Sequence, residues 1–262
     1  VMGIVNVTPD SFSDGGQFYH SEKAVLHAIQ LIEDGADIID IGGESSRPGA
    51  NHVLLQEELE RTIPVIQKIR QTSPDTLISI DTYKSEVAIQ AIEAGANMIN
   101  DISGLTMDKT MPNIAADLGV PIVIMHMQGT PANMQVNPRY EDLILDITSF
   151  FSGQIKLADT AGIKMERIIL DPGIGFGKTI DHNFQLIQNL NEFCKLGYPI
   201  LIGPSRKSFI GTTLDLPPED RLEGTSAVVT AGIMNGARIV RVHDVKEIKR
   251  VVTITEKIRT AA

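Results

Sequence analysis

Asp34-Gly35-Ala36-Asp37-Ile38-Ile39-Asp40-Ile41 is the stretch whose reading decides the fold. A glycine ends a helical segment, small residues follow, and a short β-branched run begins. Glycine suits the left-handed position that closes a helix, so the stretch reads as a helix-to-strand loop. The same junction returns at Ala94-Gly95-Ala96-Asn97, Leu118-Gly119-Val120-Pro121, Ala161-Gly162-Ile163-Lys164, Leu196-Gly197-Tyr198-Pro199 and Asn235-Gly236-Ala237-Arg238. Two further apolar runs, Gly3 to Val7 and Leu77 to Asp81, have the strand form without the glycine. Strands are therefore expected near 3–8, 38–43, 77–82, 98–103, 121–126, 167–172, 199–204 and 239–244. Helices are expected near 21–34, 55–71, 84–94, 111–118, 140–161, 182–196, 221–235 and 247–258, with helical apolar spacing as in Leu59, Ile63, Ile66 and Ile69. Near-continuous apolar strands point to a parallel sheet covered on both faces. Eight βα units in 262 residues match the size of a (β/α)8 barrel. The expectation is an α/β chain forming a single TIM barrel over 1–262, with an open doubly wound sheet as the competing architecture.

Unusual polar residues gather at the C-terminal ends of these strands, the rim on which barrel enzymes build their sites. They are Asn6 on the first strand, Glu44 to Arg47 after the second, Asp81 on the third, and Asn100 with Asp101 on the fourth. His126 and Gln128 follow the fifth, Asp171 the sixth, Ser205 to Ser208 the seventh, and Arg241 and His243 the eighth. Bland alternatives exist for several. Asp81 could cap the next helix, His126 could be a satisfied strand-end histidine, and Asp40 reads as an internal partner for a cation. Asn100 and Asp101 adjoin, so one is expected to face the barrel interior and the other the outer layer. Arg241 and His243 stand two apart and share a face. Arg47, Lys207 and Arg241, with His243, make a cationic rim suited to an anion. Asp81, Asn100 and Asp171 offer hydrogen bonds to a flat heterocycle. Asn6 and Asp14 supply hard oxygen donors of the kind Mg2+ accepts alongside phosphates. A Lys207 Schiff base is the alternative for that lysine, but Arg206 and the flanking serines read as anion recognition. Pro172 to Thr179 ends like a phosphate loop, yet proline holds the place of its first glycine, so it reads as a close-packed loop.

Composition narrows the class. With 23 Lys and Arg against 33 Asp and Glu the net charge is −10, which argues against nucleic acid and anionic membranes. One cysteine, Cys194, excludes an internal disulfide, reads as a buried thiol, and favours a reducing, cytoplasmic setting. No apolar run approaches the roughly 20 residues of a membrane span. The chain opens on Val1 followed at once by a strand, so further residues upstream are expected.

Several separate motifs run in order along the chain: Gly3-Ile-Val-Asn-Val-Thr-Pro-Asp-Ser-Phe-Ser-Asp-Gly-Gly16, Asp40-Ile-Gly-Gly-Glu-Ser-Ser-Arg-Pro-Gly49, Ile80-Asp-Thr82, Ile99-Asn-Asp-Ile-Ser103 and Met125-His-Met127. Leu170-Asp-Pro-Gly-Ile-Gly-Phe-Gly177, Ser205-Arg-Lys-Ser-Phe-Ile-Gly211 and Arg241-Val-His243 complete the set. Together they resemble the dihydropteroate synthase family. The resemblance implies a TIM barrel that condenses 6-hydroxymethyl-7,8-dihydropterin diphosphate with 4-aminobenzoate. It implies Asn6 holding Mg2+, and Arg47, Arg241 and His243 on the diphosphate. Asp81, Asn100, Asp171 and Lys207 would line the pterin pocket, with Met125 on the ring and Gly203 among the substrate contacts. Ser46, Pro48, Phe176, Lys207 and Ser208 would form the aminobenzoate site, and Phe12 would sit on a covering loop. Asp81, Lys207, Arg241 and His243 would carry catalysis. Ser46 replaces the threonine of many members and keeps the hydroxyl. The resemblance further implies a homodimer, with 247–258 as a candidate surface, and small-molecule partners only. A methyltetrahydrofolate:corrinoid methyltransferase-like barrel and a silent pterin-binding protein are the rival readings.

Overall fold

The computed structural model describes residues 1–8, 17–47, 49–50 and 52–261. Among them, β1 (Met2–Asn6), β2 (Ile38–Gly42), β3 (Leu77–Asp81), β4 (Met98–Asp101), β5 (Ile122–Met125), β6 (Ile168–Asp171), β7 (Ile200–Ile202) and β8 (Ala237–Val242) pair in sequence order. The sheet closes where Met2 of β1 pairs with Arg241 of β8, so the barrel is the architecture and the open sheet is excluded. All pairings are parallel. Helices α1 (Gln17–Glu33), α2 (Leu55–Thr72), α3 (Ser85–Glu93), α4 (Met111–Leu118) and α5 (Leu143–Ala161) alternate with the first strands. They are followed by α6 (Ile180–Gln188), α7 (Leu190–Cys194), α8 (Ser208–Leu214), α9 (Leu222–Met234) and α10 (Val245–Thr260).

The junction glycines do what their spacing requires. Gly162 closes α5 at φ 94°, and its N–H reaches back to Ala158. The other five junction glycines also have positive φ. Asp142 opens α5 by accepting the N–H groups of Ile144 and Leu145 at 3.1 and 3.0 Å, which satisfies donors the helix leaves free.

Two layers of core follow from strand alternation. Outward side chains such as Val5, Ile39, Ile80 and Ile99 pack with Ile66, Ile69, Phe151 and Phe193 of the helices. Each such side chain contributes about 1.5–3 kcal/mol on burial. Inside the barrel Met2, Met98, Val123 and Leu201 form a separate apolar plug. The plug fills the bottom, and the polar residues stand above it.

Two local expectations are corrected. The single helix expected over 182–196 is broken at Asn189, which leaves helical geometry (φ −107°, ψ 22°) and turns its side-chain amide onto the Gln185 carbonyl at 2.9 Å. A short helix, α8, was not foreseen. Ser-Phe-Ile-Gly-Thr-Thr-Leu has glycine and two threonines in seven residues, so propensity argues against it. Tertiary contact supplies it: Phe209 and Ile210 are buried.

Candidate active site

The inward-facing positions of β2, β3, β4, β6 and β8 bring polar and charged groups together across the barrel interior. Arg241 reaches from β8 and donates from Nε to Asp40 Oδ2 at 2.6 Å and from Nη2 to Asp81 Oδ2 at 2.7 Å. Asn100 Nδ2 donates to the same Asp40 oxygen at 3.2 Å. Asn100 is thus the inward member of its pair. Asp101 faces away and shapes its loop by accepting the N–H groups of Ser103 and Leu105 at 2.8 and 2.9 Å. Asp40 is the internal counter-charge expected of it. Asp81 caps nothing, since α3 begins from Lys84 and its Ser85 N–H goes to Asp108. Two glycines flank this crossing: a Cβ on Gly42 would lie 3.4 Å from Asp81 Cβ, and one on Gly203 would lie 3.8 Å from Arg241 Cβ, both ordinary van der Waals contacts.

The electrostatics of this layer follow from its dryness. Burial pushes the Asp81 carboxyl up to about 7; Arg241 opposes the rise, and Asp40, Glu58 and Asp101 add to it. Asp171 is likewise raised to about 6 by burial, against the pull of the Gly173 N–H, Lys207, Lys178 and Arg241. Lys207 is held down to about 8, by desolvation and then by Arg241, with Asp171 and Asp81 opposing. Its ammonium lies 4.0 Å above the Phe176 ring, a cation–π contact that joins the β6 and β7 loops.

The glycine-rich loop after β6 is a packed element and not a phosphate loop. Asp171 Oδ1 accepts the Gly173 N–H at 2.7 Å. Lys178 is buried, with Nζ 2.9 Å from the Phe176 carbonyl and 3.1 Å from His126 Nδ1. His126 is therefore a satisfied strand-end residue, its ring also edge-on to Phe150 at 4.9 Å, and burial lowers its pKa to about 3. Met125 packs with Ile102, Met134 and Phe176 beside this loop.

A second polar cluster was missed by sequence reasoning. Lys84 bridges Glu44 and the buried Glu58, while the Tyr83 hydroxyl donates to Glu44 and lies 2.8 Å from His52 Nδ1. Glu44 and His52 bracket the loop after β2, so Tyr83 staples both ends of it. Between this cluster and Asp81 lies a shallow cleft that Ser46 also lines. Only proximity of 44, 58 and 83–84 in the fold reveals the group; no spacing in the chain signals it. The α2 residue Glu58 is the least visible of them.

Three expectations about cations change. His243 is not a cation: burial and the charges of Arg241 and Arg206 lower its pKa to about 3. Arg206 is committed to a protein carboxylate and not to a ligand, because its guanidinium is engaged by Asp244. Arg47 is exposed on its loop, apart from the Arg241 and Lys207 layer, and makes no ion pair among the described residues. Ser208 is exposed at the start of α8. Asn6 ends β1, half-buried at the rim. Phe12, Asp14 and Pro48 lie outside the described residues.

The described residues contain no cluster of three or more His, Cys, Asp or Glu able to hold a metal. A Mg2+ ion that shares phosphate oxygens needs only one or two protein oxygens. The Asn6 amide, a hard neutral donor with no hydrogen-bond partner among the described residues, fits that requirement.

Comparison with known proteins gives one consistent family. The model of the pterin binding enzyme family matches residues 2–243. Dihydropteroate synthase of Synechocystis sp. is 52% identical over 257 residues, covering 98% of this chain and 89% of that one. A crystal structure of Yersinia pestis dihydropteroate synthase with a sulfonamide drug superposes at a TM-score of 0.94 and 46% identity, covering 99% and 94% of the two chains. The Xanthomonas albilineans enzyme in complex with 7,8-dihydropteroate superposes at 0.89 and 40% identity, covering 100% and 94%.

Proposed function

The chain belongs to the pterin-binding enzymes and, within them, to the dihydropteroate synthases, and from that premise we propose how its rim divides the chemistry. The reaction joins 6-hydroxymethyl-7,8-dihydropterin diphosphate to 4-aminobenzoate and releases diphosphate; the enzyme is a transferase. The observation that carries the residue assignment is the inward layer in which Arg241 spans Asp40 and Asp81 beside Asn100, Asp171 and Lys207.

Diphosphate leaves a methylene attached to an electron-rich ring, so bond breaking can precede attack and leave a delocalised cation. Little proton transfer is needed for that step. Asp81 sets negative charge beside the pterin, and Asp171 and Asn100 hold its amide and amino edges. Arg241, with Arg47 from its exposed loop, neutralises the departing diphosphate, and His243 donates to it as a neutral ring. Met125 supports the ring face, and Gly203, next to Arg241, borders the pterin. Lys207 lies between pterin and aminobenzoate, and Phe176, Ser46 and Ser208 border the latter. Phe12 and Pro48 are assigned to the covering loops and the aminobenzoate site on the family resemblance alone. Asn6 would hold Mg2+, which would supply further neutralisation of leaving-group charge. Fixed charges placed where charge develops lower the barrier without reorganisation, which is why a dry layer of paired ions suits this step.

We further assign one domain to 1–262, a cytoplasmic setting and a homodimer. Exposure of Ile254 and Ile258 on α10 supports a contact surface there. No helix among the described residues is long and apolar enough to cross a membrane.

Mixing both substrates with Mg2+ and following diphosphate and dihydropteroate tests the assignment, with Asp81→Ala, Asn6→Ala and Arg241→Ala compared with the parent. Folded variants that keep parental turnover would remove those residues from the roles given. A requirement for a corrinoid acceptor would favour the methyltransferase reading.

A further inference from the structure

The loops after β7 and β8 meet through two consecutive residues on each side. Ser205 Oγ accepts the backbone N–H of His243 at 3.1 Å and lies 3.0 Å from His243 Nδ1. One residue on, the Arg206 guanidinium makes a two-pronged contact with Asp244, with Nε 3.0 Å from Oδ2 and Nη2 on Oδ1. Arg206 has φ 57°, a left-handed conformation that non-glycine residues adopt at a cost. It is pinned at both backbone groups: its N–H donates to Thr225 Oγ1 at 3.2 Å, and its carbonyl accepts from Arg221 Nη1 at 2.9 Å. Room for Arg221 depends on Gly211, where a Cβ would fall 2.1 Å from the guanidinium carbon. This much restraint on one strained residue indicates that the direction of its neighbours Ser205 and Lys207 is being set.

Counting protons then fixes the ring. A serine hydroxyl has one hydrogen. Ser205 Oγ already accepts from the His243 backbone and has no other partner among the described residues except Nδ1. Among the described residues its hydrogen finds an acceptor only in the Nδ1 lone pair, an arrangement that goes with the imidazole proton on Nε2. Burial and the nearby cations Arg241, Arg206 and Lys207 keep that ring neutral, which leaves one N–H and one lone pair to distribute.

We propose that Ser205 is a positioning residue for the transfer reaction: it holds His243 as the Nε2–H tautomer, aimed to donate to the departing diphosphate, while the Arg206–Asp244 pair braces the two loops. The inference rests on the assignment of His243 to the diphosphate. In the opposite tautomer Nε2 would present a lone pair to an anion, which repels instead of binding.

The test starts from the full-length protein with 15N-labelled histidine. Nitrogen NMR distinguishes N–H from lone-pair ring nitrogens, and His243→Ala identifies the signal. An Nε2–H pattern at pH 7 is expected in the parent protein, with exchange between tautomers in Ser205→Ala. In steady state, Ser205→Ala should raise KM for the pterin diphosphate about tenfold and leave KM for 4-aminobenzoate within about twofold, and Ser205→Thr should restore the first value. An Nδ1–H or imidazolium pattern in the parent overturns the proposal without recourse to any variant. Parental KM and tautomer in Ser205→Ala overturn it as well. Binding of inorganic diphosphate to His243→Ala separates the two levels. Undiminished affinity there would sink the diphosphate assignment, whereas weak binding there beside a parental Ser205→Ala would sink only the role of Ser205.

Discussion

Replacing Asp81 by Asn exchanges a buried carboxylate for a neutral group of the same shape, and its effects on stability and turnover should have opposite signs. In the folded protein the carboxyl titrates at about 7, against an ordinary value of 3.8. The folded state therefore binds more protons than the unfolded chain between those values, so this group's contribution to stability falls as pH rises through that window. Going from pH 5 to pH 8, the parent loses roughly 2–3 kcal/mol on account of Asp81 alone. Asn cannot ionise, so Asp81→Asn should gain that amount on the parent over the same interval. Asp101 and Asp171 titrate in both proteins and cancel in the difference. Urea unfolding followed by circular dichroism at pH 5, 6, 7 and 8 measures it, and the method suits a chain with no Trp. Turnover should fall at least about tenfold, or about 1.4 kcal/mol of barrier, because the proposed assignment places this negative charge beside the pterin. A stability difference that stays flat with pH, or that favours the parent more at pH 8 than at pH 5, would refute the argument that desolvation outweighs Arg241 at this site.

Other expectations follow from the same layer and the loop beside it. Arg241→Ala should weaken pterin diphosphate binding far more than 4-aminobenzoate binding; equal losses by calorimetry would mean the anion lies elsewhere. Gly173 sits at φ 70°, and a Cβ there would lie 1.9 Å from the His126 carbonyl oxygen, so Gly173→Ala should cost more than about 2 kcal/mol and lower the melting temperature by at least about 4 °C. An unchanged melting curve would contradict the loop geometry. Lys178 titrates at about 7, below its ordinary 10.5, so it binds fewer protons folded than unfolded, and stability should rise with pH between those values. Lys178→Met should flatten that rise by about 1 kcal/mol per pH unit, read from unfolding at pH 7.5 to 9.5, and a parallel slope in both proteins would show the ammonium to be solvated.

The barrel was readable because its signals are local. Glycine adopts the positive φ that closes a helix without steric cost, so the junction at Asp34 to Ile41 announces a strand from local sequence, and its five repeats, with two strand-like runs that lack the glycine, announce the eightfold pattern. Asp81, Asn100, Asp171 and Arg241 were readable as a group because strand alternation places them without knowledge of any distance. What escaped was non-local. Nothing in Ser208 to Leu214 predicts a helix, since burial of Phe209 and Ile210 supplies what propensity lacks. The Tyr83–Lys84–Glu44–Glu58 group joins three separate elements, and Lys178 looks in sequence like the end of a phosphate loop.

The amino-acid sequence alone determined the class of fold, the rim on which the polar residues gather and the family, because each depends on residue type, order and backbone preference. The tertiary structure decided where each charge is held and by what. Arg241 and Arg206 are equivalent side chains in sequence, yet one spans two carboxylates inside the barrel and the other is engaged by Asp244 on the loops. His243 changed from a cation to a neutral donor because its burial and neighbours disfavour the charged ring. Ionisation and ion pairing depend on the distance to charges far apart in the chain and on the water removed around them, and only folding fixes either.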